Sequence, residues 1–66
     1  MSPSIIFYLT RADECARDAE NAKLENVRDR CRRSETAWRE MADRLMRTET
    51  MRAEKEESRA AAAALA

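Results

Sequence analysis

From Ile5 to Ala22, small or apolar side chains recur at Ile5, Tyr8 with Leu9 beside it, Ala12, Cys15, Ala19 and Ala22. Their alternating steps of three and four describe one stripe along a helix, because residues at that spacing stack on one face. A second stripe of the same kind runs through Val27, Cys31, Ser34, Trp38, Met41, Leu45 and Thr48, widened by Ala42 and Met46. The two stripes are out of phase with each other. The phase is lost around Ala22–Asn26, so an unbroken straight helix cannot keep both on one side.

Two helices joined by a short bend satisfy this pattern. Ser2 offers an N-cap and Pro3 a first helical residue, where its missing N–H costs nothing. Asn26 is the expected N-cap of the second helix, with Asp29 placed to favour a helix N-terminus. The expected class is therefore all-α: an antiparallel two-helix hairpin over residues 1–51. Its helices cover about 3–22 and 27–51, joined by a turn at about 23–26. Residues 52–66, charged and then Ala-rich, are expected to be a helical or fraying tail with nothing to bury. With the bend there, facing positions have numbers adding to about 49. Ala12 then lies near Trp38, and Tyr8 and Ile5 near Met41 and Leu45. One continuous helix with a stutter is the rival fold, and a strand at Ile5–Leu9 is the rival local structure.

Composition agrees with helices: the 66 residues include no Gly and one Pro. The net charge is zero, so no overall field attracts nucleic acid or an anionic surface. Charge is unevenly placed, with three basic and five acidic residues in 1–25 but seven and four in 26–47. Two such segments suit lying side by side. The run Ile5–Leu9 lacks a basic leader and a cleavage pattern. It is also far short of the about 20 residues that span a bilayer. Membrane insertion is not expected, and the expected location is the cytoplasm.

Cys15 and Cys31 invite a chemical role, but sixteen residues apart they match no zinc or C-x-x-C redox spacing, and the chain has no His. As a disulfide they are expected to sit about one turn out of step, beyond the roughly 4.4–6.8 Å between Cα atoms that a bridge needs. They are expected to be small packing residues, reduced in a cytosolic setting. Arg28, Arg30, Arg32 and Arg33 form a basic cluster, the basis of a weaker nucleic-acid alternative. A solvated face sharing Glu35 and pairing with Asp18 and Glu20 of the first helix is the expected arrangement. Glu14, Glu20, Glu35 and Glu40 are expected to face water. With no His, no Gly-rich loop and no room for a cleft between two helices, neither a catalytic residue nor a cofactor is expected.

The stretch from Phe7 to Leu45 carries Tyr8, Arg11, Ala12, Glu14 and Cys15, then Val27, Arg28 and Arg30, then Ala37, Trp38, Met41 and Ala42. In this it resembles a group of short helical-hairpin proteins of alphaproteobacteria, with the patterns Y-x-x-R-A-x-E-C, V-R-x-R and A-x-W-x-x-M-A. The resemblance implies a helical hairpin and brings no catalytic residue or ligand with it.

The expected core or interface comprises Ile5, Tyr8, Leu9, Ala12, Cys15, Ala19, Val27, Cys31, Trp38, Met41 and Leu45. One interface between slim helices returns little burial against the ordering of the chain. Ile6, Phe7, Ala16, Ala42, Met46 and Met51 broaden the apolar face beyond one stripe. The expected function is non-catalytic association, as a homodimer of hairpins forming a four-helix bundle, or as an accessory subunit docked on a larger protein.

Overall fold

The computed structural model describes residues 1–66. It is all-helical and forms a hairpin, with α1 over Pro3–Asn21 and α2 over Glu25–Leu65. No strand forms at Ile5–Leu9, which lies inside α1. Ser2 caps α1 as its sequence suggests: its hydroxyl accepts a hydrogen bond from the Ile5 N–H at 3.3 Å, and Pro3 follows.

The connection is only Ala22, Lys23 and Leu24, earlier than the expected 23–26. Asn26 is not the N-cap of α2; it lies inside the first turn. Leu24 takes the cap position in an extended conformation, without a side-chain hydrogen bond. The first helical bond there runs from the Arg28 N–H to the Leu24 carbonyl at 3.0 Å. Ending α1 without glycine is possible because the chain leaves it through extended backbone rather than a left-handed residue. Ala22 and Leu24 have ψ angles of 132° and 136°, and no residue has positive φ. The Ala22 carbonyl, which a left-handed cap does not satisfy here, accepts from the guanidinium of Arg28 at 3.3 Å. A cation at that place also complements the negative end of the α1 dipole.

Moving the bend to Lys23 shifts the register. Counted from Lys23, facing backbone positions have numbers adding to about 46, while the side-chain contacts across the seam add to between 45 for Phe7–Trp38 and 52 for Asp13–Arg39, because side chains lean along their helices. Tyr8 stands against Trp38, with ring centroids 5.9 Å apart, not against Met41. The residues most fully removed from water are Ile5, Ala12, Ala19 and Ala42. Three of these four are alanines, so the helices approach closely along most of the seam. The stripe on α2 drifts from the expected Thr48 onto Ala42, Met46 and Glu49. Thr48 itself is exposed and donates its hydroxyl to the Arg44 carbonyl at 3.0 Å. This drift is what a straight helix of 3.6 residues per turn does to a seam written with a seven-residue repeat.

α2 is 41 residues long against 19 for α1, and the molecule measures 64 × 16 × 12 Å. From Thr50 onward every residue is exposed. The far part of α2 is thus helical, with Arg59 paired to Glu56 at 3.3 Å, but it packs on nothing in its own chain. No helix is long and apolar enough to cross a membrane.

Candidate interaction face

Trp38 and Arg39 are consecutive, so they leave α2 about 100° apart and fall on opposite flanks of the hairpin seam. Each reaches across to α1, and together they give the two flanks different chemistry.

On the first flank, Trp38 meets Phe7 edge-to-face, with centroids 5.7 Å apart and planes at 89°, and lies at 31° to Tyr8. Phe7 and Tyr8 also touch, at 6.0 Å. The Arg11 guanidinium sits over the Trp38 ring at 5.7 Å, within cation–π range. All three aromatic side chains of the protein are therefore in one cluster. Such offset and edge-on pairs each add on the order of 1 kcal/mol beyond simple burial. The cluster is only partly covered: Tyr8 and Trp38 are half-buried, and Phe7 is 53% exposed. Helical phase adds Met41, Leu45 and Cys15 to the same flank, all half-buried.

The second flank is a ladder of charges. Glu35 accepts from Arg32 at 2.9 Å and from Arg39 at 3.0 Å, and Arg39 also reaches Asp13 of α1 at 3.3 Å. Arg39–Asp13 is the one ion pair between the helices; the expected partners Asp18 and Glu20 make none. Glu35 does not face open water as its offset from the seam suggested. Its side chain is 16% exposed, because it lies one position from Ser34 on the seam edge and two arginines fold over it. Glu14 is half-buried too, paired with Arg11 at 2.6 Å. Ile6, also 53% exposed, continues the second flank at the open end.

The Glu35 carboxyl is held below its ordinary value of 4.5, chiefly by the Arg32 hydrogen bond and then by that from Arg39. The Arg39 guanidinium is pushed up in turn, with the Glu35 bond its largest cause. A carboxyl whose folded pKa is depressed stabilises the fold fully above its unfolded pKa, and that contribution is lost as pH falls through the folded value. Thermal melts of the wild type are therefore expected to drop on acidification below about pH 4.5. Glu35→Gln should flatten that acid limb; an unchanged limb in the variant would assign it to other carboxylates.

The residues expected to form the core or interface all lie inside or along the seam. Ile5, Ala12 and Ala19 are buried, while Tyr8, Leu9, Cys15, Val27, Cys31, Trp38, Met41 and Leu45 are half-buried. The sequence pattern leaves Phe7 off the stripe, and ring size is the missing signal: the phenyl ring reaches Trp38 from the outer side of Tyr8. No three Cys, Asp or Glu side chains converge into a group that would hold a metal ion. The surface hollows lie along single faces of α2, one at Glu40, Asp43, Arg44 and Arg47, the other at Thr48, Met51, Arg52 and Lys55. Neither lies between the helices. No protein-family model, curated protein or solved structure matches the chain.

Proposed function

We propose that this protein is a non-catalytic helical interaction protein whose aromatic flank self-associates, two hairpins forming a four-helix bundle about a two-fold axis. The observation carrying this is the half-covered cluster of Phe7, Tyr8 and Trp38, continued by Met41 and Leu45, on one side of a hairpin that buries only four residues. The surface area points the same way. The chain exposes 5318 Å², whereas a compact monomer of its 7.6 kDa exposes about 4,300 Å². The excess exceeds the roughly 800 Å² that each partner buries in an ordinary stable interface, although the lone end of α2 accounts for part of it. An isologous pairing places each aromatic flank against its copy and leaves both charge ladders in water. Zero net charge means that two copies do not repel one another.

Sedimentation equilibrium reads mass independently of shape. At micromolar concentration the protein should have about twice its 7.6 kDa, and Phe7→Ser should return it to the monomer while helicity persists. A wild type that stays monomeric and folded would remove the proposal. The unpartnered end of α2, with Met51 68% exposed, favours a second reading in which this helix extends contact onto a larger protein. A chain unfolded alone but helical with that partner would select it.

A further inference from the structure

The bend at Lys23 brings together two residues that the expected register kept apart. Tyr8 and Trp38 are each fifteen residues from Lys23, and their rings are in contact. Cys15 and Cys31 are each eight residues from Lys23, and so each lies seven residues closer to the bend than Tyr8 or Trp38. Seven residues make nearly two full turns, missing by about 20°, and advance about 10 Å along the axis. With α1 ending at Asn21 and α2 starting at Glu25, each two residues from Lys23, the two cysteines lie at equal depth from the bend and on the same side of the seam as Tyr8 and Trp38. The backbones are close at this depth: Ala12 and Ala19, on either side of Cys15, are 0% exposed. Both thiols are free and half-buried, which leaves them open to a small oxidant.

We infer that Cys15 and Cys31 are a redox pair that closes into an intrachain disulfide, clasping the bend half of the hairpin. With a peroxide as oxidant the balance is complete. One thiolate attacks a peroxide oxygen, breaking the O–O bond and giving a sulfenic acid and one water. The second thiol attacks the sulfenic sulfur, forming the S–S bond and expelling a second water. Two thiols are thus oxidised by two electrons, peroxide is reduced to two waters, and a dithiol reverses the change by exchange. The bond lies within one chain, so its formation and the mass of the assembly are read by separate measurements, and failure of one is distinguishable from failure of the other.

The test treats the full-length, natively folded protein with hydrogen peroxide and then blocks remaining thiols with a maleimide. The expected product has lost two hydrogens by intact mass, takes up no maleimide and migrates as a single chain on a non-reducing gel. Dithiothreitol should restore both thiols. Closing a fifteen-residue loop (16–30) should raise the thermal midpoint by on the order of 10 °C over the reduced protein. Cys15→Ser should abolish both the intrachain product and this shift. Thiols that stay reactive in a helical protein, oxygen addition to the cysteines without a bond, or cross-linking solely between chains would each overturn the inference.

Discussion

Replacing Trp38 with alanine is expected to cost about 3 kcal/mol, the lower end of the range for large aromatic deletions, because Trp38 is half-buried. The loss gathers three contacts into one position. Phe7 and Tyr8 lose their common partner, and Arg11 loses the ring beneath its guanidinium. A hairpin with four buried residues has little stability to spare, since even ordinary domains rest on roughly 5–15 kcal/mol. Trp38→Ala should therefore lose most of its helical circular dichroism at room temperature, whereas Trp38→Phe, which keeps a ring in the cluster, should remain folded. Superimposable urea curves for wild type and Trp38→Ala would show that the aromatic layer does not hold the helices together.

The second large effect is expected from adding volume rather than removing it. Ala12 is fully buried in the seam between α1 and α2, and Ala12→Leu must push the helices apart or force a strained rotamer. Overpacking of this kind costs about 1–3 kcal/mol. The same change at Ala37, an exposed position of α2, should stay within about 0.5 kcal/mol. Urea denaturation of the two variants side by side separates a packing effect from helix propensity, which leucine satisfies equally at both sites. Equal stabilities would mean that the helices do not touch at Ala12.

The stripes and the hairpin were legible in the sequence because burial imposes the three-and-four spacing directly on residue type. Ile5, Ala12 and Ala19 stand out in that pattern, and all three are buried. The bend was less legible. Its usual signals are a glycine or a side-chain cap, and here a guanidinium six residues downstream takes the carbonyl while Leu24 caps nothing. Asn26 looked like the better cap because local preference was the only guide. The consequence of that small displacement was large: each residue by which the bend moves changes the facing sum by two. It sets Cys15 and Cys31 at equal distances from the bend, where the expected register put them about one turn out of step. The difference between the two flanks was also hidden, since it depends on which of two adjacent residues, Trp38 or Arg39, reaches which neighbour. The half-burial of Glu35 was missed for the same reason.

The unequal helices have a hydrodynamic consequence. The radius of gyration is 17.9 Å, against about 11 Å for a compact chain of this length. A rod of this kind meets more frictional drag than a sphere of equal mass, diffuses more slowly and tumbles end over end far less readily than it spins about its long axis. On a gel-filtration column one copy would therefore migrate like a heavier globular protein, and elution volume by itself would mimic dimerisation.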